Sequence, residues 1–214
     1  MKVVFSLVIL VLFTGKIFSQ TTVTLNCVAD ANFGYHDGFS TSNANGGNAL
    51  FNQTFFQPSA SGTGYNCGRS VLKFDLSSIP SNAVILSATL DLYGYGPASS
   101  TGQVTSVGNA GNNPCLISRV SSSWTELGVT WNSQPTITSQ DEDTLAVSTS
   151  FNQNYLGVDV TNMVTTMHQN QAINYGFMLH QLYESLPANG MFFSSRENIL
   201  QGSPPVLHVT YLFH

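Results

Sequence analysis

The sequence predicts an all-β protein: a two-sheet antiparallel β-sandwich of jelly-roll type with one short helix. Three observations point there. Apolar and polar residues alternate with period two across residues 69–95, the signature of half-buried strands. Short apolar runs recur along the chain between clusters of Gly, Asn, Ser and Pro, which punctuate strands with turns. A single stretch, residues 161–170, carries a helical spacing instead.

The first expected strand covers residues 22–28. Residues 30–68 read as loop-rich, with one or two short strands near residues 49–56. In the run RSVLKFDLSSIPSNAVILSATLDLYGY, residues 69–95, one strand face carries Ser70, Leu72, Phe74 and Leu76, and the other carries Arg69, Val71, Lys73 and Asp75. Residues 79–82 supply turn chemistry, because Pro80 fixes φ and Asn82 tolerates tight backbone angles. Alternation resumes with Leu86, Ala88, Leu90 and Leu92 against Ser87, Thr89, Asp91 and Tyr93. The pair reads as a hairpin whose outward face presents Arg69, Lys73 and Tyr93 together, with Lys73 opposite Asp91. Residues 94–114 form a second Gly/Ser/Asn-rich stretch. Further strands are expected at residues 116–120, 145–150, 157–160, 175–182, 191–195 and 206–211. In the helix, Thr161 takes the cap position, and Met163, Val164 and Met167 share a face.

Lys2 followed by a run that is apolar from residue 3 to 13 except for Ser6 reads as a signal peptide, with a cleavage region at residues 15–20. The run is too short to cross a bilayer comfortably, and no later segment reaches that length. The expected organisation is a signal peptide, residues 1–20, and a single secreted domain, residues 21–214. Roughly 195 residues suit one β-domain with a sizeable core.

Only 8% of residues are charged. Beyond the leader the basic residues are Arg69, Lys73, Arg119 and Arg196, four against 11 acidic ones, a net charge of about −7. That balance excludes nucleic acid as a partner, which needs a basic surface. It also argues against broad electrostatic capture of an anionic polymer. The four cations, with Tyr93 and Tyr95 as stacking rings, are the candidate ligand-binding residues. Tyr65, Phe55 and Phe56 are weaker stacking candidates. Asp30 and Asp37, with the loop carbonyls of residues 32–34, could hold a structural Ca²⁺, a hard cation suited to carboxylate and carbonyl oxygens. Asp141, Glu142 and Asp143 read as a solvated loop.

The three cysteines permit one disulfide and leave one thiol free. Cys67 and Cys115 each stand just before an expected strand and are the favoured pair. Catalytic signatures are lacking: the histidines are scattered, and there is no HExxH, GxSxG or P-loop. No enzymatic activity is expected.

Four segments in order resemble one family. They are the run at residues 69–93, the Trp124-to-Trp131 motif ending in Asn132-Ser133-Gln134-Pro135, the segment VDVTNMVTTMHQNQAINYGFMLH, and the close MFFSSREN…PPVLHVTY. Together they resemble the DNRLRE domain, which overlaps carbohydrate-binding module family 96, across roughly residues 21–212. The resemblance implies a secreted jelly-roll module of the kind often appended to polysaccharide-degrading proteins, some members of which bind acidic polysaccharide such as alginate. It also implies that Trp124 and Trp131 pack a loop against the sandwich. The expected function is therefore a secreted non-catalytic binding module for extracellular or cell-wall polysaccharide. The alternative is a structural or adhesive matrix protein acting through contacts with other extracellular proteins. A polysaccharide lyase or hydrolase is the third reading.

Overall fold

In the computed structural model, residues 19–37, 43–59, 64–95, 109–185, 187–199 and 203–213 are described. Residues 1–18 of the expected leader and most of the expected loop at residues 94–114 lie outside them. The described residues form ten strands, one nine-residue α-helix and one turn of 3-10 helix at Gln171–Ile173, and no helix among them is long and apolar enough to cross a membrane.

Strand β1 (Ser19–His36) is shared between two sheets. Its first part, from Ser19 to Asn26, pairs with β10 (Val206–Phe213). Its second part, from Ala29 to His36, pairs with β3 (Tyr65–Phe74). The change falls at a register shift between Cys27 and Ala29, where an extra residue bends the strand. The first sheet continues from β10 to β4 (Val84–Leu92) and β7 (Tyr155–Asp159). The second runs from β3 to β8 (Phe177–Gln181), β5 (Cys115–Val120) and β6 (Ile137–Leu145). Alongside β8, the edge of β3 also receives β2 (Phe51–Pro58), which carries β9 (Asn189–Ser194) on its far side. All of these pairings are antiparallel. The all-β sandwich expected from the sequence is the fold observed.

The main core lies between the sheets. Leu72, Phe74, Leu90, Leu92, Ile117, Leu179, Phe193, Leu207 and Val209 fill it, and Met163, Val164 and Met167 of α1 (Thr161–Gln169) pack into it. A second apolar layer contains Ala31, Phe33, Val71, Val120, Val129 and Met178, with Trp124, Trp131, Ile137 and Tyr175 packed against it. Val71 was expected on an outward face but is fully buried, because the chain at residues 124–134 folds back over it. Trp124 fixes that return by donating its indole N–H to the Tyr175 carbonyl at 2.8 Å.

The expected hairpin is a crossover. β3 and β4 belong to different sheets, so Arg69 and Lys73 share no face with Tyr93. The reason lies in the connection: Leu76 and Ile79 are both buried in the core. Two successive turns, Ile79 N–H to the Leu76 carbonyl and Ala83 N–H to the Pro80 carbonyl, carry the chain across it. β1 also extends well into the expected loop region. In place of a strand at residues 145–150, β6 ends at Leu145, and Asp141, Glu142 and Asp143 lie within it. Asp141 there adopts a positive φ of 63° beside an irregular stretch of the β5–β6 ladder. Helix α1 starts without a side-chain cap; Thr161 Oγ1 instead donates to Asp159 at 2.6 Å.

The expected Cys67–Cys115 bridge is absent, and all three cysteines are free and buried. Cys115 belongs to the main core, whereas Cys67 lines a groove with Phe56 and Tyr65. Burial pushes both thiols up to about 12, so they are protonated and unreactive in the native state.

Two outcomes follow. In denaturant without reductant, a thiol reagent titrates three cysteines per chain, and adding reductant leaves the melting temperature unchanged; a count of one would restore a disulfide. Leu72→Ala empties space in the main core and lowers unfolding free energy by about 2–5 kcal/mol in a urea melt.

Candidate functional site

The second half of β1 and the first half of β3 place a row of rings on one surface. Trp131 and Tyr35 lie 6.2 Å apart between centroids, Tyr35 and Tyr65 5.1 Å, and Tyr65 and Phe56 5.3 Å. The last pair is stacked at an interplanar angle of 23°. Alternation dictates the row. Phe33 and Tyr35 pair with Arg69 and Cys67 of β3, and Phe56 and Pro58 of β2 pair with Cys67 and Tyr65. Gly68 makes room for the neighbouring Phe55, because a Cβ there would stand 2.3 Å from its ring.

A groove of about 530 Å³ opens along these rings, bounded by Phe56, Tyr65, Cys67, Trp131, Glu184 and Ser185. This falls within the usual size range of ligand pockets. Tyr65 is 44% exposed, so its face is available. Arg69 borders the groove from β3. Its guanidinium makes a two-pronged pair with Glu184, Nε to Oε1 at 2.7 Å and Nη2 to Oε2 at 2.6 Å. A third bond reaches Gln134 Oε1 at 2.9 Å, and the guanidinium carbon sits 5.0 Å from the Trp131 ring centroid. Burial works against the Arg69 charge, and the Glu184 bonds and charge more than offset it. Both ions are about three-quarters buried, a geometry in which planar, forked arginine outperforms lysine.

A second hollow of about 290 Å³ lies on the other side of Phe56. It is bounded by His36, Gln53, Phe55, Gln57, Asn189 and Phe192 as well as Phe56. Asn189 uses its amide N–H groups on the Tyr183 and Pro187 carbonyls. Its buried Oδ1 has no partner.

A separate cluster of carboxylates stands where β1 leaves the bulge. Asp30, Glu126 and Glu197 bring oxygens within 4.8 Å of one another. Asp30 is 1% exposed; its Oδ2 accepts from Asn52 Nδ2 at 2.8 Å and from the Arg196 backbone N–H at 2.9 Å. Its own backbone N–H donates to Glu126 Oε1 at 3.0 Å. Arg196 forks onto Glu126 at 2.7 and 2.9 Å and meets Glu197 at 3.0 Å. Burial pushes the Asp30 carboxyl well above the usual carboxylate range; its bonds from Asn52 and Arg196 oppose that, and the charge of Glu197 adds to it. Gly47 lets the neighbouring chain lie against this cluster, since a Cβ there would stand 2.4 Å from the Glu126 carbonyl.

The structure scatters the candidate ligand residues named from sequence. Arg69 alone of the six stands at the groove. Lys73 borders a shallow hollow with Val28 and Asn174. Tyr93 follows the end of β4, where its carbonyl accepts from the Ser194 N–H at 2.8 Å, and burial together with the Asp91 carboxylate pushes its hydroxyl up. Tyr95 packs its ring on Phe51 at 5.2 Å. Arg119 is buried, with its Nε unpartnered, and Arg196 belongs to the carboxylate cluster. Asp30 and Asp37 are separated by seven residues of nearly straight strand, roughly 20 Å, and share no cation site; Asp37 takes Asn66 Oδ1 on its backbone N–H instead. Trp131 does pack the loop, as expected, and also walls the groove. Tyr35 and Glu184 were not singled out. Tyr35 was legible as the period-two continuation of Ala31 and Phe33; Glu184 carries no sequence signal.

The sequence profile of carbohydrate-binding module family 96 matches residues 19–211, and the chain belongs to that family. No curated protein matches it.

The Arg69–Glu184 pair is testable without a ligand. A double-mutant cycle with Arg69→Met and Glu184→Gln, read by urea unfolding, gives a coupling on the order of 1–3 kcal/mol. Additivity of the two substitutions would show that the pair holds nothing in place.

Proposed function

We propose that this family 96 module is a secreted, non-catalytic binder of an electrically neutral extracellular or cell-wall polysaccharide. The observation that carries the reading is the row Trp131, Tyr35, Tyr65 and Phe56 along an open groove. Such rings cover the C–H faces of pyranose units, while the adjoining polar groups take the hydroxyls. Glu184 and Ser185 on one side of Phe56, and Gln53 and Gln57 on the other, supply those polar groups.

Charge supports the choice of a neutral polymer. Arg69 and Glu184 neutralise one another at the groove, which leaves no net cation to attract a uronate. Arg196, the other guanidinium with a resolved partner, is tied to Glu126 and Glu197. A non-catalytic role is supported by the same pair: Glu184, the one carboxylate bounding the groove among the described residues, is committed to Arg69, while glycoside hydrolysis by the common route asks for two facing carboxyl groups. Secretion is supported by the apolar run at residues 3–13.

The test is a polysaccharide panel of neutral and acidic polymers. Saturable binding to a neutral class is expected. Trp131→Ala and Tyr65→Ala should each weaken it by at least tenfold, while Lys73→Ala and Tyr93→Phe leave it unchanged. Silence on the panel, or binding indifferent to Trp131 and Tyr65, would remove the groove as the site and favour a matrix role through protein contacts.

A further inference from the structure

We propose that Asp30, Glu126 and Glu197, together with Asn52, form a Ca²⁺ site that clamps the 124–134 segment to the sandwich. Three carboxyl groups, one of them on the fully buried Asp30, bring oxygens within 4.8 Å of one another. The one cation among them, Arg196, returns a single positive charge. Full ionisation of all three around the buried Asp30 calls for more positive charge than one guanidinium supplies, and a divalent cation provides it.

A second observation points to a missing ligand. Asn52 is 1% exposed, and its carboxamide is directed at Asp30, yet its Oδ1 has no partner. Glu197 Oε2 is likewise buried and unpartnered. The Glu197 oxygen belongs to the cluster and the Asn52 oxygen reaches it by a turn of the amide; an oxygen-coordinated ion would satisfy both. Asn52 turns its Nδ2 toward Asp30 at 2.8 Å. Half a turn of that amide presents Oδ1 in its place. The donors are then three carboxylates and an amide oxygen, with water completing the shell. That all-oxygen set, of adjustable geometry, suits Ca²⁺ better than Mg²⁺, which demands strict octahedral ligation and keeps its water.

The site draws on three parts of the chain. Asp30 follows the β1 bulge, Glu126 lies in the segment carrying Trp124 and Trp131, and Glu197 follows β9. An ion there ties the segment that walls the groove to both, independently of what the groove binds.

Calorimetric titration of the chelator-stripped protein with Ca²⁺, alongside thermal melts with Ca²⁺, Mg²⁺ and EDTA, tests the site. One Ca²⁺ per chain is expected, with a higher melting temperature in Ca²⁺ than in EDTA and a weaker response to Mg²⁺. Glu197→Gln and Asn52→Ala should each weaken Ca²⁺ binding at least tenfold. Asp37→Asn, remote from the cluster, should not change it. Since Asp30→Asn risks misfolding, the milder Glu197→Gln decides the assignment. Absence of Ca²⁺ binding in the wild-type protein at millimolar concentration overturns the proposal. So does binding retained in Glu197→Gln but lost in Asp141→Asn or Asp143→Asn, which would move the ion to the acidic stretch of β6.

Discussion

The fold depends on a single strand having two sets of partners. Before the register shift, Val23, Leu25 and Cys27 of β1 meet the main core. After it, Asp30 and Asn32 pair with Leu72 and Ser70, while Ala31 and Phe33 enter the second apolar layer. The bulge thus inverts the parity of the strand: odd positions point inward before it and outward after it. A strand of strict alternation would drive Phe33 and Tyr35 into the sandwich. The shift at Cys27–Ala29 therefore sets which side chains reach the groove, and it also puts Asp30 where three chain segments converge.

The second organising element is the covering segment at residues 124–134. In a charge-poor chain, two of the four basic residues outside the leader hold this one segment. Arg69 engages Trp131 and Gln134, and Arg196 engages Glu126. Asn45 adds two amide bonds, to the Glu126 and Val129 carbonyls, both at 2.7 Å. The segment has no regular ladder to fix it, so directional bonds from its neighbours do so, and the Trp131 ring is positioned from both sides. Forked guanidinium contacts fix orientation as well as distance, which matters for a ring that must lie flat along a groove.

Much of this was legible in the sequence. Period-two alternation identified β3 and β4, and helical spacing identified the buried face of α1. Partnership was not legible, because alternation states which side chains share a face and is silent about the neighbouring strand. Residues 69–95 show the limit: a short turn between alternating strands suggested a hairpin, while the burial of Leu76 and Ile79, visible only in three dimensions, makes it a crossover. Basic residues were sensible candidates in a chain with so few, but two of them proved to serve the covering segment. Tyr65 and Phe56 were named as weaker stacking candidates, but their assembly with Tyr35 and Trp131 was not legible, because these rings come from β1, β2, β3 and a loop far apart in sequence. Glu184 joins Arg69 across 115 positions, and no local pattern announces such a contact. The carboxylate cluster was half seen: Asp30 was identified, but its companions are 96 and 167 positions further along the chain.

The pairing of Ser19 with Phe213 brings both ends of the folded chain side by side at one pole of the molecule. Tyr35 stands at the other end of the same strand, separated from Ser19 by roughly 50 Å of extended backbone. Anything fused before β1 or after β10 is thus held at the pole remote from the rings. The arrangement sets the chain ends at one pole and the ring-lined groove at the other, joined by one continuous strand. A tether at either terminus leaves the groove turned outward, and a row of such modules strung along one backbone would present their grooves on the side away from the connecting chain.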